Sequence, residues 1–114
     1  SLYFINLILL FIMEKYFTVK MNSANAGNFM ISCNDIKGIE QNSTTVVRIF
    51  YGNARSIDIE HSAVASGNVE PRSLINSAVE EALSTDWREV DRVVDCSFVA
   101  ASGAQAVWLS VGQN

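Results

Sequence analysis

A chain of 114 residues is long enough for one domain with a core of its own, and needs no disulfides or metal to hold it. Its composition, 49% apolar and 18% charged, is that of a globular protein with a low charge content, which leaves room for subunit contacts. The net charge of −4, with eight basic residues scattered along the chain, argues against binding a nucleic-acid backbone.

The first stretch, Leu2 to Met13, is almost wholly apolar and uncharged. It offers about a dozen such residues where a membrane-spanning helix needs about 20. It lacks the basic start and small-residue cleavage site of a signal peptide. The chain begins at Ser1, and Met13-Glu14-Lys15 would make a natural initiation site. Residues 1–12 are therefore read as an apolar N-terminal extension and 13–114 as a single domain, with a truncated membrane anchor as the alternative. Nine bulky apolar residues between Leu2 and Ile12 cannot stay exposed in water. They are expected to pack against neighbouring chains, as a helix rather than a strand, with the fold from Met13 onward independent of them. Stable membrane anchoring is not expected.

From Lys15 the apolar period becomes two. Phe17, Val19 and Met21 alternate with Tyr16, Thr18 and Lys20, as in a half-buried strand. The small, polar run Asn22 to Asn28 reads as a loop, with Gly27 free to take a positive φ. Phe29, Ile31 and Cys33 form a second alternating set. Asn34-Asp35 marks a turn, and Ile36 and Ile39 resume an apolar face with Gly38 as a bulge between them. Gln41-Asn42-Ser43 is the next turn.

Thr44 to Tyr51 is the strongest strand signal, filled with β-branched and aromatic residues. Val46, Val47, Ile49 and Phe50 load both faces, so a central strand with Arg48 reaching outward is expected. Gly52-Asn53 signals a hairpin. Ile57 and Ile59 alternate with Ser56, Asp58 and Glu60, a strand covered on one side. Ser62 to Val69 is a connector.

Glu70 to Leu83 carries the 3.6-residue period of an amphipathic helix. Leu74, Ile75, Ala78, Val79, Ala82 and Leu83 fall on one face, and Ser73, Asn76, Ser77, Glu80 and Glu81 on the other. Pro71 suits the first turn, where its missing N–H costs nothing. A helix of this length does not hold itself together in water, so it must dock on a partner surface. Asp86 and Glu89 resemble a capping box for a short helical turn over Trp87–Asp91. Arg92 to Ala100 alternates again, with Val94, Cys96 and Phe98 on one side. Ser102-Gly103 is a turn, and Ala106 to Val111 the last strand. About six strands and one helix give an α+β fold: a mostly antiparallel sheet able to curl into a partial barrel, with the helix over one face and meander pairing as the default.

Candidate chemistry is sparse. Cys33 and Cys96 are too few for a disulfide scaffold, and no C-x-x-C spacing supports zinc. They read as two buried free thiols, the alternative being a bridge between neighbouring strands. His61, the only histidine, ends a strand beside Glu60 and Ser62. Strand alternation sets Glu60 and His61 on opposite faces, so they cannot pair directly, and no G-x-S-x-G elbow accompanies them. Glu80 and Glu81 are adjacent and read as a solvated helix face. Asp86, Glu89, Asp91 and Asp95 with Arg88 and Arg92 read as a surface ion-pair patch without calcium-loop spacing. Trp87 and Trp108 read as core or interface anchors, and Gly52 and Gly103 as turn glycines. No catalytic, cofactor-binding or metal-binding residue is assigned.

Several segments carry a resemblance. The strand Ile57-Asp-Ile-Glu-His61-Ser62, the helix Arg72–Leu83, the run Ala82-Leu83-Ser84-Thr85-Asp86-Trp87 and the start Met13-Glu-Lys-Tyr-Phe17 together resemble small uncharacterised proteins of marine tailed phages. The resemblance covers Met13 to about Phe98. It implies a virion-associated or assembly role and carries over no functional residue. The expected function is thus that of a non-enzymatic structural or assembly protein acting as a homo-oligomer through Leu2 to Ile12. The alternative is a small-ligand-binding module or enzyme in which His61, Tyr51 and the acids from Asp86 to Asp95 line one helix–sheet cleft.

Overall fold

The computed structural model describes residues 15–22, 27–84 and 92–114. The expectations for Leu2 to Met13, for most of the Asn22–Asn28 loop, and for Asp86, Trp87, Arg88, Glu89 and Asp91 lie outside the described residues. The elements in chain order are β1 (Tyr16–Lys20), β2 (Asn28–Ser32), β3 (Ile36–Gln41), β4 (Val46–Tyr51), β5 (Ser56–His61), α1 (Glu70–Ser84), β6 (Arg92–Val94) and β7 (Trp108–Gln113). The fold is α+β, as the pattern implies. The described strands number seven rather than six, because the Ile36–Ile39 stretch is a full strand. Its register shifts between Ile36 and Gly38, where the bulge was expected.

These strands form two sheets, in the orders β2-β1-β6 and β3-β4-β5-β7. They do not close into a barrel. Every pairing is antiparallel except β1 with β6. Meander pairing holds for β3-β4-β5 and fails elsewhere, since β6 returns to lie parallel to β1 and β7 returns to β5. A parallel pair cannot be joined by a tight turn, and here the whole β3–β5 meander and α1 lie between its two strands. The sheets meet where Met21 bridges to Trp108 and the Asn22 N–H donates to the Trp108 carbonyl at 3.1 Å.

The core lies between the two inner faces and α1. Phe17, Val19, Ile31 and Val94 come from one sheet, Val47, Ile49, Ile57 and Ile59 from the other, and Ile75, Ala78 and Val79 from the helix. The helix packs on β1, β3 and β6, so it straddles both sheets. β4 is internal to its sheet but loaded on one face only: Val47, Ile49 and Tyr51 are buried, whereas Phe50 is 36% exposed. No element covers the other side of that sheet among the described residues. The outer residue Thr18 of β1, in contrast, is buried between its register partners Met30 and Val93.

The apolar face of α1 is narrower than its sequence suggests. Pro71, Ile75, Ala78, Val79 and Ala82 are buried. Leu74 is half-buried and Leu83 is 55% exposed. At about 100° per residue these two leucines flank the buried arc on opposite sides. The start of α1 is satisfied from outside the helix. Asn68 Oδ1 accepts the Glu70 N–H at 2.9 Å, and Gln41 Oε1 accepts the Arg72 N–H at 3.0 Å. At the β4–β5 hairpin, Asn53 and Ala54 carry the positive φ values of 63° and 59°. Gly52 is small for a different reason: a Cβ there would run into the Asp35 carboxylate.

Candidate functional site

Alternation along β5 sends Ile57, Ile59 and His61 to the core face, and His61 is 0% exposed. Two aromatic rings wall it edge-on, Phe98 at 5.5 Å and Trp108 at 6.1 Å between centroids. Its hydrogen bonds define the tautomer. Nδ1 lies 2.8 Å from the Ser62 carbonyl oxygen, which can only accept, so Nδ1 carries the proton. Nε2 is then a bare lone pair and accepts from Gln41 Nε2 at 2.9 Å. The same Gln41 amide nitrogen donates to the Ser43 carbonyl at 2.9 Å, and its oxygen holds the Arg72 N–H. The Arg72 side chain donates through Nε to the Ile39 carbonyl at 2.9 Å. Burial pushes His61 below its ordinary pKa, opposed by the Ser62 carbonyl and by the charge of Glu60.

Neither a nucleophile nor a carboxylate is among these partners, and Glu60 is exposed on the opposite face of the strand. Of the expected grouping, the described residues are His61, Tyr51 and Asp95, and the fold sets these three apart. His61 sits at the Thr45 end of the β4–β5 pair, its N–H donating to the Thr45 carbonyl. Tyr51 sits at the Arg55 end, with its hydroxyl donating to the Ser32 carbonyl at 2.6 Å. Burial, with Cys33 as a second cause, pushes that hydroxyl up to about 12. Asp95 is exposed and lies 3.6 Å from Lys20. Arg92 heads β6.

A helix–sheet cleft does exist, at the Tyr51 end rather than near His61. It is open, of about 610 Å³, between the start of β3 and α1, with Lys15, Asn34, Lys37, Asn76 and Leu83 around it and Cys33 in its lining. Its polar groups are largely engaged: Asn34 Oδ1 accepts the Lys15 N–H at 3.0 Å, Lys37 pairs with Asp35 at 3.1 Å, and Asn76 donates to Glu80, outside the lining, at 3.1 Å. Neither Cys33 nor Cys96 is in a disulfide. Cys33 is buried and Cys96 only half-buried, its thiol pushed up to about 12 by burial and then by Asp95. A thiol raised in this way, as at Cys96, is a poor nucleophile.

Trp108 is a core anchor, 1% exposed, and its indole N–H donates to the Val94 carbonyl at 3.1 Å. Among the described residues no three His, Cys, Asp or Glu side chains gather as metal ligands. No helix among them is long and apolar enough to cross a membrane. Gln41 is the residue that sequence reasoning missed. It reads as a turn residue, and its tie to His61, 20 residues on, depends on β3 and β5 flanking the same strand β4.

Comparison with known protein families, curated proteins and solved structures finds no match to this chain. What the geometry defines is an α+β protein with a sealed histidine, two cysteines outside any disulfide and an open cleft whose lining includes neither His61 nor Cys96.

Proposed function

We propose that this protein is a non-enzymatic structural or assembly component that acts as a homo-oligomer, with a virion-associated role as the phage-protein resemblance implies. The observation that carries this reading is the outer face of the β2-β1-β6 sheet. There Met30, 55% exposed, and Val93, 48% exposed, flank the buried Thr18 in one cross-strand row. The apolar residues from Leu2 to Ile12 come shortly before β1 in the sequence. A second copy of the chain, bringing the same segment and the same row, is a partner of matching chemistry. The sole histidine meanwhile is spent on packing and a structural hydrogen bond.

Sedimentation velocity at micromolar concentration tests this. The full chain should sediment as an oligomer. The chain starting at Met13, and full-length Met30→Lys, should each shift toward monomer while keeping the circular dichroism of the sheets. A full chain that is a clean monomer would sink the reading.

The cleft between β3 and α1 favours a second reading, a small-ligand-binding module. Amide shifts at Asn34 and Asn76 on adding a library of small polar-apolar fragments would support it, and silence at both positions would remove it.

A further inference from the structure

We propose that the Gln41–His61 contact is a proton-sensitive latch that joins the β3-β4-β5-β7 sheet to the first turn of α1. The argument is one of donors and acceptors. The amide nitrogen of Gln41 donates toward His61 Nε2 and the Ser43 carbonyl, both at 2.9 Å, with the Val46 carbonyl a longer third acceptor at 3.4 Å. Its oxygen is used by the Arg72 N–H. His61 Nδ1 is used by the Ser62 carbonyl. This set is complete only while Nε2 is a lone pair. Uptake of a proton puts an N–H on Nε2, and two donors then face each other across 2.9 Å.

Turning the Gln41 amide over does not repair this. The oxygen would satisfy the imidazolium, but the amide nitrogen would then confront the Arg72 N–H. Either the histidine or the helix end loses its partner. The side that can find water is the helix end, because Arg72 and Gln41 meet near the surface whereas His61 is sealed. Acid therefore frees the first turn of α1.

The charged groups around the latch leave the imidazole to carry this response. On β5, Glu60 lies on the outer face, and its charge favours the imidazolium. On β3, Glu40 is exposed and pairs in register with Arg48 of β4. On α1, Glu70 and Arg72 are exposed, and Arg72 is engaged at the Ile39 carbonyl. The segment carrying Phe98 contributes Asp95, paired with Lys20, and Cys96, a neutral thiol. From β7 the neighbour is the uncharged Trp108.

The sign follows from the donors. In the latched form Nε2 faces a Gln41 N–H, which favours the neutral imidazole, and burial pushes the His61 pKa in the same direction. The unlatched form, in which the amide oxygen can accept from the imidazolium, binds the proton more tightly, so the latch is strongest at the alkaline end and weakens as pH falls from the unlatched pKa toward the latched one. Over that window the opening equilibrium rises by up to about tenfold per pH unit.

The test is residue-resolved amide exchange, expressed as protection factors, together with the His61 ring titration by NMR between pH 7.5 and 4.5. Protection at Arg72 should fall as pH drops, in step with His61 protonation, while Ile49 and Ile57 in the sheet hold theirs. Gln41→Glu should invert the response. Its carboxylate can accept from both the Arg72 N–H and an imidazolium, so the His61 midpoint rises and Arg72 stays protected in acid. His61→Gln, if it folds, should make Arg72 protection independent of pH. The proposal is overturned if Arg72 protection does not follow the His61 titration, if Gln41→Glu leaves the His61 midpoint unmoved, or if all strands lose protection together.

Discussion

The two sheets of this protein bury the same kind of inner face and differ in their outer ones. Across the four-stranded sheet the outer row Glu40, Arg48, Asp58 and Gly112 ends in solvent, with Arg48 and Asp58 holding each other in a two-pronged pair. Across the three-stranded sheet the corresponding row is Met30, Thr18 and Val93. An antiparallel sheet with one solvated face needs polar residues there. The larger sheet meets that requirement along its central row, whereas the smaller one leaves two apolar side chains half out of water. A fold can thus be complete on its inside while an outer row still has apolar area to bury, and the proposed assembly contact rests on that row of the smaller sheet.

The joint between the sheets is the sharpest place to break the comparison. Trp108 belongs to β7, yet it bridges to Met21 of β1's continuation and donates its indole N–H to Val94 of β6. Trp108→Ala should cost about 3–5 kcal/mol, the largest effect of any substitution considered. Urea unfolding measures it. A loss below about 1 kcal/mol would mean that each sheet is held by its own helix contacts and that the joint is incidental.

The helix gives the next largest effect, because it straddles both sheets. Ile75 is 0% exposed and Leu83 is 55% exposed, although both belong to the apolar stripe read from the sequence. Ile75→Ala should cost about 2–5 kcal/mol, and Leu83→Ala about 0.5 kcal/mol or less. Half-buried Leu74 should fall between them, below the full core cost expected from its place in the stripe. Equal losses for Ile75 and Leu83 in thermal melts would mean that α1 docks through a different face.

What was legible in the sequence follows from these particulars. Periodicity found α1 and nearly every strand, because period two and period 3.6 are local consequences of backbone geometry. It placed Ile57, Ile59, Val47 and Ile49 in the core correctly. It overfilled β4 and α1, since a run of apolar residues does not say which side another element will cover. Phe50 and Leu83 are exposed for that reason. The division into two sheets was not legible, because the β1–β6 pair joins residues about 75 positions apart and no local turn announces it. The fate of His61 was half legible. Alternation separated it from Glu60, but its partner Gln41 comes from a strand two places away in the sheet, and only the register brings them together.

The smallest effect tests the outer face of the larger sheet. Arg48 Nε and Nη2 donate to the two Asp58 carboxylate oxygens at 2.6 and 3.0 Å, a fork geometry that favours arginine. The side chains are 30% and 27% exposed, so water screens the pair without removing it. The Arg48 hydrogen bond holds the Asp58 carboxyl below its ordinary range. A depressed carboxyl contributes stability that is present above its unfolded value, about 3.8, and lost as pH falls through the folded one. A double-mutant cycle with Arg48→Ala and Asp58→Ala should therefore give a coupling of about 0.2–1 kcal/mol near neutral pH, toward the upper end for this geometry. The coupling should vanish once the pH lies below the folded-state pKa of Asp58, and shrink in high salt. Several kcal/mol of coupling, insensitive to salt, would require a pair shut away from water, as happens when a partner covers the face. The larger sheet would then be an interface as well, and the contrast between the two outer faces would no longer single out the smaller one.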